Sequence, residues 1–322
     1  VFTAVPPCDL DGNLDVVVVD LSGGLTRINV WSPKTGGTTA GTVIHQFTIP
    51  NSDLYQGYPF IGNIDNEEYN GKNYPEICVT TRRLSPTPLK GRVSAYKYNP
   101  TTKKYVHKWD LINEDTSGGT GITLFDFNND GVNELVYRDE KKLYIYNGAA
   151  NAAPVLASPD AQFTCTSGTA FEYPVIADLD GSGSAKICVT CANNGTGISN
   201  TLTAFDSKNT PWAPTRKVWN QVNYDPVAIN DDRTVPRKLF AKQTVFEVEE
   251  NSVKKERLPY NGALIQVPIM DLELQPVIKA ADPFVIEIQG TLVNDTTVQL
   301  TVAIGNQGAL NASASLPVTL YK

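Results

Sequence analysis

The chain has 322 residues, 41% of them apolar and only 19% charged, and carries a formal net charge of −7. That length admits more than one domain with a real core, while the acidic balance argues against nucleic acid or an anionic membrane surface as partner. No run approaches the ~20 apolar residues of a membrane helix, and no long segment has helical periodicity, so the class is all-β.

In chain order, four similar units follow one another. Residues 1–50 hold the acidic bend Asp9-Leu10-Asp11-Gly12-Asn13-Leu14-Asp15, then apolar strands at 16–19, 28–31 and 43–49. Residues 51–112 repeat the scheme. A strand over 58–64 enters a bend made of Asn63-Ile64-Asp65, an insertion, Asn70-Gly71 and Glu76, and strands at 77–80, 94–98 and 105–111 leave it. Residues 113–165 place a strand at 122–127, the bend Asp126-Phe127-Asn128-Asn129-Asp130-Gly131-Val132-Asn133-Glu134, and strands at 135–137 and 143–146. Residues 166–222 place a strand at 173–179, the bend Asp178-Leu179-Asp180-Gly181-Ser182-Gly183-Ser184-Ala185-Lys186, and strands at 187–190 and 202–205, with a last strand expected within 211–221. Asn, Asp, Pro, Gly and Ser fill the connecting turns, as hairpins demand. The bends end at residues 15, 76, 134 and 186, so the steps are 61, 58 and 52, slightly above the roughly 40–50 of propeller blades.

The third bend is the most complete. Asp126, Asn128, Asp130 and Glu134 stand at positions one, three, five and nine, Gly131 supplies a sharp turn at six, and Val132 offers its carbonyl at seven. This is the ligand set of a hard cation, with Ca²⁺ the usual one. An EF-hand is excluded, because position twelve is Tyr137 and a β-type run follows in place of a helix. The first bend offers Asp9, Asp11, Asn13 and Asp15, with Pro7 where the first ligand belongs. The second offers Asn63, Asp65 and Glu76 around its insertion. The fourth offers Asp178, Asp180 and Ser182, but Lys186 occupies position nine. Either that bend takes no ion or the ammonium stands in for the metal's charge.

These bends, each between two strands of a four-stranded repeat, resemble FG-GAP/VCBS-type repeats over roughly residues 1–225. The resemblance implies a calcium-binding β-propeller of the kind found in integrin α-chains and many secreted bacterial proteins, with a structural rather than catalytic ion. Residues 1–237 are accordingly expected to form propeller blades and 238–280 linking or propeller-completing strands, including strands at 244–249, 264–267 and 270–274 and a solvated turn at 254–257. The stretch 219–236 resembles a segment of large bacterial surface proteins. Alternating runs at 282–288, 297–304 and 314–321, with the turn Asn306-Gln307-Gly308, resemble the start of a CARDB-type immunoglobulin-like module, so 281–322 is expected to be a partial β-sandwich.

Trp212 and Trp219 with Arg216 form a candidate carbohydrate-stacking platform, or else the two indoles cover the last blade. The five cysteines are Cys8, Cys78, Cys165, Cys188 and Cys191. Cys78 and Cys188 share an Ile-Cys-Val-Thr context and read as buried small side chains. Zinc is disfavoured because Cys188-x-x-Cys191 has no second pair and His45 and His107 are the only histidines. A disulfide among Cys165, Cys188 and Cys191 stays open.

No catalytic constellation is legible: there is no Gly-x-Ser-x-Gly and no phosphate-binding glycine loop. The expected function is a non-enzymatic, Ca²⁺-stabilised extracellular module of a large secreted or cell-surface adhesin, supporting attachment to a surface, glycan or protein. The alternatives are a polysaccharide lyase-like propeller and a purely structural spacer. An opening on Val1 inside a blade leads us to expect a piece of a longer exported protein with further domains on both sides. Weak calcium bends suit an extracellular setting, where the ion is millimolar.

Overall fold

In a computed structural model, the structure describes residues 2–5, 8, 15–33, 41–53, 58–65, 67–69, 72–128, 132–149, 161–169, 172–197, 199–208, 211–237, 246–250, 253–257, 264–266, 283–294 and 297–306. Among these the only helical element is a 3₁₀ turn, Pro226–Ala228. The class is all-β, as the composition and periodicity indicate.

Four antiparallel sheets follow one another along the chain. The first comprises β1 (Phe2–Val5), β2 (Asp15–Ser22), β3 (Leu25–Ser32) and β4 (Thr42–Thr48), hydrogen-bonded in that order. In the second, β5 (Ser52–Asp53) and β6 (Pro59–Gly62) both pair with β9 (Glu76–Arg83), which continues into β10 (Lys90–Asn99) and β11 (Lys104–Asn113). The insertion between Asp65 and Glu76 carries a small hairpin of its own, β7 (Glu68–Tyr69) with β8 (Lys72–Asn73). The third sheet is β12 (Ile122–Phe125), β13 (Glu134–Arg138), β14 (Lys142–Asn147) and β15 (Ala161–Thr164). The fourth is β16 (Val175–Ala177), β17 (Lys186–Asn193) and β18 (Ser199–Phe205).

Local chemistry explains the meander. In β2, Asp15, Val17 and Val19 turn inward and the residues between them are half-buried, the period-two pattern of a strand with one covered face. The β2–β3 hairpin pairs Ser22 with Leu25 across Gly23 and Gly24, whose φ values of +60° and +79° suit a two-residue turn that L side chains resist. Strands of the middle sheets do not alternate. β6, β12 and β13 are buried along their whole length, because a sheet with a neighbour on each side has no solvent face.

Three hydrophobic cores lie between the four sheets. Val17, Val19, Ile28 and Val30 of the first sheet meet Ile61, Ile77, Val79 and Tyr96 of the second. Phe60, Val93, Ala95 and Trp109 of the second meet Ile122, Leu124, Leu135 and Tyr137 of the third. Phe125, Val136 and Leu143 of the third meet Ile176, Ile187 and Val189 of the fourth. The entering strands also touch in succession: β1 against β6, β6 against β12, and β12 against β16.

A later segment joins these entering strands. Ile265 bridges Leu124 of β12 in parallel fashion, Leu124 N–H donates to the Leu264 carbonyl at 3.2 Å, and Gln266 N–H donates to the Leu124 carbonyl at 3.1 Å. The Gln266 side chain is 1% exposed and donates to the carbonyls of Ile176 (2.7 Å) and Val218 (3.2 Å), while accepting from the Tyr224 hydroxyl at 2.8 Å.

Two expectations change. Residues 211–221 are not a last strand beside β18; apart from bridge residues at Pro214, paired with Ser184, and at Thr215 they run irregularly across the fourth bend, and Pro211 and Pro214 withhold the N–H donors a ladder needs. Lys254 to Arg257 are not a turn but belong to β20 (Val253–Arg257), paired with β19 (Phe246–Glu250). Within the expected sandwich the described residues form one hairpin, β21 (Pro283–Asn294) with β22 (Thr297–Asn306), on which Leu292 is 69% exposed. The runs expected at 270–274 and 314–321 lie outside the described residues.

Candidate functional site

Three of the four acidic bends share one closure. In the third, Glu134 at position nine is 3% exposed and its Oε2 accepts the backbone N–H of Phe127, position two, at 2.8 Å. In the second, Glu76 Oε2 accepts the N–H of Ile64, again position two, at 2.9 Å. In the first, Asp15 Oδ2 accepts the N–H of Cys8 at 2.6 Å. A carboxylate that opens the exit strand therefore reaches back to the end of the entering strand, and both ends of the bend are held together by a charge-assisted hydrogen bond. Burial, with Asp65 adding to it, pushes the Glu76 carboxyl well above its ordinary value, against the Ile64 N–H and the nearby Lys108 ammonium.

Neighbouring bends are tied to each other. Asn133 of the third donates both its backbone N–H and its Nδ2 to the Asn63 carbonyl of the second, each at 3.0 Å. The Phe127 carbonyl accepts from Ala213 N–H at 2.9 Å, and the Ala213 carbonyl accepts from Ala185 N–H at 3.0 Å. The irregular segment 211–216 thus links the third bend to the fourth.

The fourth bend is built differently. Asp178 Oδ1 accepts the N–H of Gly181 at 2.8 Å and Oδ2 that of Gly183 at 3.1 Å. Both glycines have positive φ, +78° and +85°, which these close turns require. The Lys186 ammonium lies among the remaining oxygens, 2.9 Å from Ser182 Oγ, 3.2 Å from Ser184 Oγ, 3.2 Å from Asp180 Oδ1 and 3.5 Å from Asp206 Oδ2. The Ser182 hydroxyl, joined by the Lys186 ammonium, holds the Asp180 carboxyl well below the usual carboxylate range.

A lysine also enters the second bend. Lys108, projecting from β11, places Nζ 2.8 Å from Asp65 Oδ2 and 3.6 Å from Glu67 Oε1, and the Lys108 and Asp65 side chains are 4% and 2% exposed. Burial works against the Lys108 charge, but Asp65, Glu67 and Glu76 outweigh it and the ammonium is held above its ordinary value. Glu67 is further bound by Lys97 at 2.6 Å.

Of the sequence-derived ligands, Asp9, Asp11, Asn13 and Asp130 lie outside the described residues. Asp126 and Val132 are buried and Asn128 is exposed. Among the described residues no three carboxylate, histidine or cysteine side chains group as metal ligands. In the second and fourth bends an ammonium sits against these oxygens, Lys108 at Asp65 and Lys186 at Asp180 and Ser182. Lys108, Glu67 and Asp206 were not legible as parts of these bends; Lys108 comes from β11 and Asp206 from the end of β18, and no local spacing signals them.

Trp212, Arg216 and Trp219 join different parts of the structure. Trp212 packs edge-on against Phe127 at 4.8 Å between the third and fourth sheets, and Trp219 stacks on Tyr224 at 4.4 Å beside the core between the second and third. Arg216 donates to Asp231 (2.6 Å), the Tyr224 hydroxyl (3.1 Å) and the carbonyls of Pro226 (2.8 Å) and Ile229 (2.6 Å). His45 lies edge-on to Tyr98 and Tyr105, and burial lowers its pKa. His107 pairs with Asp110 at 3.0 Å.

Cys165 and Cys191 form a disulfide with Cα atoms 4.9 Å apart, which leaves Cys8, Cys78 and Cys188 as thiols. It joins the segment after β15 to β17, across the third and fourth sheets.

No family model matches the sequence, and no curated protein matches it. Among solved structures the chain is similar to the crystal structure of the V. cholerae biofilm matrix protein Bap1, at 16% identity and a TM-score of 0.39 over 82% of this chain and 52% of that one. The chain therefore spans about half the length of that protein. At this identity and score the likeness assigns neither a family nor a function.

Proposed function

We propose that the chain is a non-enzymatic, exported β-propeller module of an adhesin-type surface protein, in which Ca²⁺ serves architecture and the outer surfaces support attachment to a glycan, protein or other surface. The observation that carries the reading is the repeated closure: three bends, in three successive sheets, each return a buried carboxylate to the backbone of position two. Carboxylates committed in this way hold strands in register and are poorly placed to exchange protons with a substrate. Face-to-face stacking of four meanders, with their entering strands in contact, supports the propeller. The Cys165–Cys191 disulfide supports an oxidising, extracellular setting. In the third bend Asp126, Asn128, Asp130, Val132 and Glu134 would hold the ion, and in the first Asp9, Asp11, Asn13 and Asp15.

The lyase reading needs a cleft where a basic residue and a metal meet a sugar acid. A cavity of about 320 Å³ lies beside Arg138, Ser167, Glu172, Thr190 and Asn200, and no lysine, tyrosine or histidine lines it. Its Glu172 accepts from Ser167 at 2.8 Å and pairs with Arg138 at 3.8 Å. The test is to measure adhesion of the immobilised protein to glycan arrays and cells, with calcium and with chelator, alongside release of unsaturated products from acidic polysaccharides. Calcium-dependent adhesion without product supports the reading; turnover of any polysaccharide overturns it.

A further inference from the structure

We infer that Lys186 and Lys108 occupy the place of the cation in the fourth and second bends, so that these two are closed by an internal ammonium while the first and third are left to a divalent ion. The inference rests on the calcium reading of the third bend given above.

The fourth bend shows the exchange most fully. Lys186 stands at position nine, where the first and third bends have Asp15 and Glu134. Its side chain is only 9% exposed, and four oxygens lie within 3.5 Å of Nζ. Two belong to the loop positions that would ligate a metal, Asp180 at position three and Ser182 at position five. The distances of 2.9 to 3.5 Å are those of ammonium hydrogen bonds and ion pairs, not the 2.3–2.6 Å of Ca²⁺–oxygen bonds. The charge balance follows the same logic. A +1 ammonium needs fewer carboxylates than a +2 ion, and this bend has serines at positions five and seven, Ser182 and Ser184. An ammonium has three rotatable donors and no acceptor, so a ring of hydroxyl and carboxylate oxygens is its natural surrounding.

The second bend reaches the same state by another route. Its own position nine is still an acid, Glu76, and the cation comes from the neighbouring strand β11. Lys108 puts a nearly buried ammonium 2.8 Å from Asp65, position three. A buried carboxylate and a buried ammonium are each costly alone and tolerable together. The insertion contributes Glu67, which both Lys108 and Lys97 bind. Insertion and lysine therefore belong together, as the means by which this bend dispenses with an ion.

The test is equilibrium dialysis of the folded 322-residue chain against calcium, with bound metal counted by mass spectrometry and folding verified by circular dichroism. Asp180→Asn should leave the calcium bound by the unsubstituted protein unchanged. Lys186→Glu should take up one further ion per chain. Lys108→Met should melt lower in chelator and recover on adding millimolar calcium. Loss of an equivalent in Asp180→Asn overturns the inference, as does a folded Lys186→Glu protein that gains none. If the unsubstituted protein binds no calcium while Lys186→Glu binds one, the calcium reading of the third bend fails and the lysine inference stands.

Discussion

Glu134 reaches back across its bend to accept the Phe127 N–H at 2.8 Å. Phe127 is 6% exposed, so this donor has no ready access to water once the carboxylate is gone. Glu134→Ala should cost about 1–3 kcal/mol, the penalty for orphaning a buried donor. Glu134→Gln retains an acceptor and should cost less. Urea unfolding in chelator reads both effects without any contribution from an ion, as a shifted midpoint at unchanged slope.

The disulfide gives a thiol count and a stability. Of the five cysteines, Cys8, Cys78 and Cys188 should react with a thiol reagent in denatured, unreduced protein, and the other two only after reduction. With a separation of 26 residues, the chain-entropy relation gives about 3.5 kcal/mol for the cross-link. Cys165→Ser with Cys191→Ser should lose a stability of that order in denaturant titration.

Asp115 should contribute to acid sensitivity. Its carboxylate is 0% exposed and accepts from Ser117 (2.6 Å), Thr120 (2.6 Å) and the Tyr137 hydroxyl (3.0 Å). Burial pushes its pKa up, but the Ser117 and Thr120 hydroxyls and their companions pull it further down, and the net shift is downward. A folded pKa below the unfolded ~3.9 means that the folded state binds fewer protons. The stabilisation is complete above pH ~4 and is lost as pH falls through the folded value. Melting temperatures of wild type and Asp115→Asn should differ at neutral pH and converge below pH ~4.

His45 adds a milder dependence of the same sign. Burial lowers its pKa, so the folded state resists a proton that the unfolded state accepts. Stability should decline as pH falls below the unfolded value of ~6.5, and His45→Phe should remove that slope between roughly pH 5 and 7.

Gln266 is a single side chain serving three partners, the carbonyls of Ile176 and Val218 and the hydroxyl of Tyr224. Gln266→Leu should destabilise the protein by about 1–3 kcal/mol through unpaired buried groups. The expected readouts are a lower urea midpoint and weakened amide-exchange protection of β12, whose Leu124 bonds to the same segment.

The four meanders were legible because their signals are local. Ser22-Gly23-Gly24-Leu25 declares a hairpin, and Asp15, Val17 and Val19 alternate over a covered face. Gly181 marks its turn in the same way. What comes from afar was not legible. Lys108 meets Asp65 only because β11 lies beside the second bend, and Cys165 meets Cys191 only because adjacent sheets bring them together. The strand expected within 211–221 failed for a different reason: its apolar content serves as a strap across two bends, and Pro211 and Pro214 deny it a ladder. The second strand of the ribbon, Val253–Arg257, was hidden by its run of charges, Lys254-Lys255-Glu256-Arg257.

The central claim is that a divalent ion pins the third bend, and chelation tests it most directly. An ion that binds the folded bend and not the unfolded chain adds RT ln(1 + [L]/Kd), or about 2.7 kcal/mol at a hundredfold excess over Kd. Melting temperature should therefore rise by several degrees between chelator and millimolar calcium, and Asp130→Ala should abolish most of that rise. A melting temperature identical with and without chelator, in the unsubstituted protein, would contradict the claim.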